Sequence, residues 1–254
     1  MDSTASAALL GAVVAGAGGL LVPRLIALVP PYQPPAPEDP DEIGSEGDAT
    51  VDAAVVEVDP PEPYADIAAL PGLGWKSAVA GLVFGAVVGA ATGWEWAWAL
   101  WVPLVPVSLA LAVIDWRTRL LPTYLILPTL AAVAALVLVG WAVTGDGHAV
   151  VRAGLGFVTC GAFYFLLWLV YPRGLGFGDV RLSGVLGLAL GWVGWGAVLV
   201  GTYAGFLLGG VVGGLLAVVR IVDRKGFPFG PFMLLGAVVG LLWGESVWSG
   251  LVGG

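Results

Sequence analysis

The chain has 254 residues, of which 59% are hydrophobic and only 11% charged. A soluble domain carries about a quarter charged residues, so this chain cannot cover its own surface with polar groups and lipid must solvate much of it. The net charge of −8 is local, because eleven of the 18 acidic residues lie between Glu38 and Asp66; no basic patch supports nucleic-acid binding.

The first apolar run, Ala5 to Val22, follows Met1-Asp2-Ser3-Thr4 and precedes Arg24. A secretory signal has the opposite charge order, so residues 1–30 are expected to hold a retained helix with its amino terminus outside. Residues 31–74 break the pattern, with Pro34, Pro35, Pro37, Pro40, Pro60, Pro61 and Pro63 among the acids. Such a stretch has little apolar surface to bury and is expected to be a flexible, acidic, proline-rich cytosolic linker.

Residues 75–254 are read as a core of seven further spans, near 75–93, 95–114, 123–143, 153–171, 182–196, 198–219 and 231–250, each close to the ~20 residues that a bilayer core needs. The expected fold is therefore all-α and polytopic, with about eight transmembrane helices. Leu182 to Val219 is 38 residues without charge, too long for one helix, and Gly191-Trp192-Val193-Gly194-Trp195-Gly196 marks its break. Placing Arg117 inside puts nine of the ten basic residues inside and only Arg152 outside, which satisfies the positive-inside rule. Both termini then lie outside, and Trp94, Trp96, Trp98, Trp101, Trp141, Trp192, Trp195, Trp243 and Trp248 gather at the outer interface as an aromatic belt.

Glycines recur every fourth residue at Gly81, Gly85, Gly89 and Gly93, at Gly205, Gly209 and Gly213, and at Gly236, Gly240 and Gly244. That spacing puts each set on one helix face, where a neighbouring backbone can approach closely. Packing within the bundle is the expected use, with a homo-oligomer contact as the alternative.

Cys160 and His148 are the only residues of their kinds. One cysteine excludes an internal disulfide and a Cys-rich zinc site, and a single loop histidine is a poor basis for a metal site or a Ser–His–Asp triad. No metal or cofactor is expected, and carboxylates are left as the candidate chemistry. Asp115 ends an apolar span in Ala112-Val113-Ile114-Asp115-Trp116-Arg117, and Asp179 precedes another in Leu175-Gly176-Phe177-Gly178-Asp179-Val180-Arg181-Leu182. Both are expected at the cytosolic boundary, where a carboxylate is costly and so a functional candidate. Two carboxylates sharing a site cannot both ionise easily, so the pair holds one proton and offers a base for water and an acid for a leaving amine. Gly176 and Gly178 remove side chains beside Asp179, leaving room for an extended substrate backbone. On residue chemistry alone, an aspartic peptidase, a proton relay in a transporter and interfacial structural charges all remain open.

These same residues resemble the prepilin peptidase family, also called type IV leader peptidases, intramembrane aspartic peptidases of the Gly-x-Gly-Asp type. Asp115, Arg117, Leu121 and Pro122 match its D-x-R-x-x-x-(I/L)-P pattern. Gly176, Gly178, Asp179 and Leu182 match Gly-x-Gly-Asp-x-Lys-Leu, with Arg181 in place of lysine, and Pro228-Phe229-Gly230-Pro231-Phe232 matches a run that opens the last span. The resemblance covers about residues 75–250, with a looser echo at Gly18 to Leu25. It implies a multi-pass protein of the bacterial plasma membrane that cleaves basic leaders from type IV pilin-like precursors on the cytosolic side, with Asp115 and Asp179 as the catalytic pair. Arg117, Gly176, Gly178, Arg181, Pro228, Phe229, Gly230 and Pro231 are the expected supporting or substrate-binding residues. Many family members also carry a cytosolic domain with two Cys-x-x-Cys pairs, associated with zinc and N-methylation. Residues 31–74 contain no cysteine, so a peptidase without methyltransferase activity is expected. A transporter or relay, and an assembly factor that binds precursors without cutting them, are the alternatives.

Overall fold

The computed structural model describes residues 2–32, 61–172, 174–218 and 228–252. The described residues are all helix and connecting turn, in eleven elements. They run α1 (Ser3–Gly19), α2 (Val22–Ala27), α3 (Tyr64–Ala68), α4 (Leu73–Thr92), α5 (Trp96–Trp101), α6 (Leu104–Thr118), α7 (Thr123–Thr144), α8 (Gly147–Val170), α9 (Phe177–Val193), α10 (Trp195–Val218) and α11 (Gly230–Val252). Five segments are long and apolar enough to cross a bilayer: Leu73–Thr92, Trp96–Thr118, Thr123–Thr144, Gly147–Val170 and Gly230–Val252. The chain is thus an all-α, polytopic membrane protein, as its composition implies.

Three antiparallel helix pairs are stitched by glycine. Gly11 of α1 meets Gly85 of α4, with Ala15 against Gly81 and Ala7 against Gly89. Gly156 of α8 meets Gly187 of α9, and Gly191 lies on Ala153. Gly236 of α11 meets Gly205 of α10, while Gly240 and Gly244 lie against Ala197. In each pair an added Cβ would strike the partner's backbone. Lipid tails are as apolar as leucine, so close backbone approach and dispersion, rather than escape from water, favour such pairing. The four-residue spacing foretells two of these pairs. Gly93 departs from it: it caps the end of α4 at φ 57° with nothing near its missing side chain. The surroundings of Gly213 lie outside the described residues.

Several boundaries differ from the sequence expectation. The second core span is broken, α5 stopping at Trp101 and α6 starting after Pro103 and running on to Thr118, so Asp115 lies inside its last turn. Helix α9 starts five residues early, at Phe177, and so contains Asp179. Its junction with α10 is Gly194 alone. Two charged side chains secure that junction. Arg152 donates to the carbonyls of Gly191, Trp192 and Val193 at 2.6–3.2 Å, and Glu245 accepts from the Ala197 N–H at 3.2 Å. Cations suit a helix carboxyl end and anions an amino end. This role accounts for Arg152 standing apart from the other described basic residues.

Helices α2 and α3 were not foreseen. Val22, Ile26, Tyr64 and Ile67 bury themselves with Leu73, Ala110 and Ile114, forming a small apolar cluster beside the end of α6. Residues 64–68, expected to be linker, are therefore helical and packed. Residues 33–60 of the expected linker, and Arg173, Arg220, Arg224 and Lys225 of the orientation argument, lie outside the described residues. At the other end of the bundle, Trp94, Trp96 and Trp98 donate to Ser6, Leu136 and Ala7. Trp101 and Trp192, expected in the aromatic belt, are instead buried in the core.

Candidate active site

The end of α6, the starts of α7, α9 and α11, and the α2–α3 pair meet at one end of the bundle. There a cavity of about 330 Å³ is lined by Asp115, Asp179, Arg119, Arg181, Tyr32 and Tyr64, among others. Asp115 and Asp179 are the only buried carboxylates among the described residues, exposed by 4% and 6%.

Each carboxylate is fixed by a single backbone N–H. Gly230 donates to Asp115 Oδ2 at 2.9 Å, and Gly176 donates to Asp179 Oδ2 at 2.9 Å. Gly230 opens α11 and Gly176 precedes α9, so both acids sit at helix amino termini, where the dipole and free amides favour negative charge. The second oxygen of Asp179, Oδ1, is buried with no hydrogen-bond partner among the described residues. A buried acceptor left open costs about 1–3 kcal/mol, and such groups cluster at sites of chemistry.

The glycines around the acids have distinct jobs. A Cβ on Gly230 would lie 2.9 Å from Asp115 Oδ2, so only glycine lets that amide reach the carboxylate undisturbed. A Cβ on Gly178 would lie 2.6 Å from Leu121 Cβ. Gly178 thus seats α9 against the α6–α7 turn, and it also lines the cavity. A Cβ on Gly176 would lie 3.3 Å from Asp179 Oδ2, a tight contact with the carboxylate that its amide holds. Leu121 is the contact partner and Pro122 caps the start of α7 from the position before it, which gives the last two residues of the first motif a structural place.

The supporting residues expected from sequence divide in the same way. Arg181 donates to Thr123 Oγ1 and lies 4.7 Å from the Phe177 ring centroid, held at the cavity edge. Arg117 turns away from the cavity: it makes a bidentate pair with Glu62 at 2.6 and 2.7 Å, tying the residues before α3 to α6. That pairing holds the Glu62 carboxyl below its ordinary value, chiefly through the hydrogen bonds from Arg117. Arg119 takes the cavity position instead, with a left-handed φ of 57° and its N–H bonded to the Asp115 carbonyl at 2.8 Å. Of the last-span run, Gly230 touches Asp115 and Pro228 is buried. Phe229 packs on Tyr164 and Phe206, with centroids 6.2 and 5.3 Å away, and Pro231 lines a separate apolar cavity.

Sequence reasoning missed Arg119, Tyr32 and Tyr64. The tyrosines flank the acidic stretch, and burial pushes the Tyr64 phenol above its ordinary value, with Tyr32 adding to the shift. A signal was present in Pro63-Tyr64-Ala65-Asp66-Ile67, where a proline and an acid open an apolar turn. Cys160 is buried beside Thr202, 3.5 Å from its hydroxyl, and His148 lies exposed in the first turn of α8.

Residues 102–244, more than half of the chain, match the type IV leader peptidase family. The chain belongs to that family. This member is similar to the prepilin leader peptidase/N-methyltransferase of Aeromonas hydrophila, 34% identical over 143 residues that cover 56% of this chain and 48% of that protein. Proteins of the same description in Pseudomonas putida and Escherichia coli K12 are 33% identical over 151 residues and 37% over 142. Those alignments cover 58% and 52% of this chain, and 50% and 58% of the respective relatives. The chain spans about half the length of the curated relatives it matches. No solved structure matches. Asp115, Asp179 and Gly230 lie inside the family's matched stretch, whereas α2, α3 and α4 lie outside it.

Proposed function

We propose that the chain is an intramembrane aspartic endopeptidase that cleaves leader peptides from type IV pilin-like precursors at the cytosolic face of the bacterial plasma membrane. The observation that carries this reading is the meeting of Asp115 and Asp179, buried and from separate helices, in one cavity. Family membership supports the substrate class.

In this reading the pair shares one proton. The ionised partner takes a proton from water as its oxygen attacks the scissile carbonyl carbon, and the protonated partner gives its proton to the nitrogen as the C–N bond breaks. The pair titrates as a unit, so neither acid has a fixed first role. The amides of Gly176 and Gly230 hold the two carboxyl groups in place throughout. Arg181 positions the start of α9 through Thr123 and Phe177; an arginine at that place does not serve as a proton donor or acceptor. The relatives' printed names also include N-methyltransferase. A structural zinc site needs about four cysteine or histidine ligands, and this chain has one of each, so the residues do not fit that group and peptidase activity alone is assigned.

Co-expression with a precursor that carries a basic leader and one apolar helix tests the reading. Wild type is expected to shorten the precursor, and Asp115→Asn and Asp179→Asn to leave it whole while inserting normally. Intact processing by both variants would overturn the assignment in favour of a relay or a non-cutting assembly factor. Mass spectrometry of the mature amino terminus checks methylation, and a methyl group added by this protein alone would sink the peptidase-only claim.

A further inference from the structure

Glycine closes the three helix pairs but not the seam between α4 and α11. A second cavity of about 210 Å³ lies there, floored by α6. On α11 its wall is Pro231, Leu234, Leu235 and Val238, spaced as one helix face, while Gly236, Gly240 and Gly244 point to α10. On α4 the wall is Phe84 and Val88, one turn apart, while Gly81, Gly85 and Gly89 point to α1. Bulky side chains therefore hold apart two helices whose other faces are packed backbone to backbone.

The floor leads to the carboxylate. Ser108 and Ala112 of α6 line the cavity, and Asp115 stands seven and three residues beyond them, on the same stripe of the helix. Pro231, on the facing wall, adjoins Gly230, whose amide holds Asp115. The two cavities thus flank one turn of α6, polar on one side of Asp115 and apolar on the other. Trp101 also lines the apolar cavity, and its buried indole N–H has no hydrogen-bond partner among the described residues. Leu235 is 38% exposed, so the wall is reached from the bundle exterior.

We propose that the α4–α11 seam is the lateral entry and seat for the apolar segment of the substrate that adjoins the scissile bond. The polar side of the cut then lies in the aspartate cavity, and the apolar side runs back along the α6 stripe between Phe84 and Leu235. This proposal rests on the peptidase reading above, and it assigns specificity to residues of α4 and α11 rather than to the aspartate cavity alone. Peptide rather than an acyl chain is the assigned occupant because the cavity runs along α6 through Ser108 and Ala112 toward Asp115, and Pro231 of its wall adjoins the Gly230 that holds that acid.

The test uses the full chain in native membranes with Cys160→Ser, Asp179→Asn and one new cysteine. Leu235→Cys is expected to cross-link, through a short bis-maleimide, to cysteines placed along the precursor's apolar segment at helical spacing, at least fivefold above Leu138→Cys on α7. Equal yields at both positions, or none at Leu235→Cys, would mean lipid occupies the seam and would overturn the proposal. In the active protein, Leu235→Trp is expected to slow precursor processing at least tenfold with normal insertion, and an unchanged rate would likewise contradict it. If Asp179→Asn still processes precursor, the peptidase reading fails by itself. If Asp179→Asn is inactive but the cross-links are uniform, only the seam assignment fails.

Discussion

Among the carboxylates at helix amino termini in the described residues, Glu245, Asp115 and Asp179 show that the two ends of the bundle treat such groups differently. At the α9–α10 junction, Glu245 is exposed and accepts from Ala197, and the Arg152 guanidinium is spent on three carbonyls of α9. At the other end Asp115 and Asp179 are buried, each accepts one amide, and Oδ1 of Asp179 has no hydrogen-bond partner among the described residues. Each acid accepts one amide, but the one that joins two helices keeps its charge at the surface, whereas the two at the cavity carry theirs into the interior. Polar groups that only hold structure are expected to be satisfied; a group that must receive water and substrate is not.

The comparison breaks most sharply on paired isosteric substitutions. Asp179→Asn is expected to lower processing by roughly 10²- to 10⁴-fold, the range of a general acid or base, with little change in Tm. Glu245→Gln should do the reverse, lowering Tm slightly and leaving processing near wild type. A large activity loss in Glu245→Gln would show that the far end is not merely structural. Arg152→Ala removes hydrogen bonds from a charged donor to three carbonyls, and a cost of about 1.5–3 kcal/mol is expected in thermal unfolding in detergent, without loss of activity in the folded fraction.

Glycine substitutions sharpen the contrast further. Gly187→Ala would drive a Cβ into the Gly156 backbone, so a loss of about 1–3 kcal/mol is expected. Gly230→Ala meets the Asp115 carboxylate at 2.9 Å and Leu121 Cδ1 at an ordinary 3.4 Å, and should cost activity rather than stability, about tenfold in kcat. Gly161→Ala, with nothing within 4 Å of the added atom, is the neutral control. Similar stability losses at Gly187 and Gly230 would contradict the assignment of separate roles.

The smallest expected effect concerns the tie between Glu62 and Arg117. Its folded carboxyl is depressed below the ordinary value of 4.5 by Arg117. The stability it adds is therefore complete above that ordinary value and is lost as pH falls through the lower folded one. The pair is exposed, so the effect is small. Proteolysis near α3 should be slightly faster in Glu62→Gln than in wild type at pH 7, and the difference should vanish in strong acid.

Much of the site was legible because an acid in an apolar chain is conspicuous. Asp115, Asp179 and the Gly230 run stand out, and glycines spaced by four announced the α1–α4 and α10–α11 pairs. Side-chain direction was less legible. Arg117 and Arg119 lie two residues apart at the end of α6, and only the left-handed turn at Arg119 decides which one lines the cavity. Gly178 reads as open space until Leu121 is found against it. The glycines of α8 and α9 lack one regular spacing and hid a third tight pair. The α2–α3 cluster was missed because its helices are five or six residues long and flank a proline-rich, acidic stretch, whose composition masked the buried Tyr64 and Ile67.

The most direct test of the central claim is a double-mutant comparison on purified protein in lipid nanodiscs with a leader-bearing precursor. If Asp115 and Asp179 act as one unit, Asp115→Asn, Asp179→Asn and the double variant should lose processing to about the same residual rate, because removing either member disables the pair. Near wild-type cleavage by either single variant, or single losses that simply multiply in the double, would contradict a shared catalytic site.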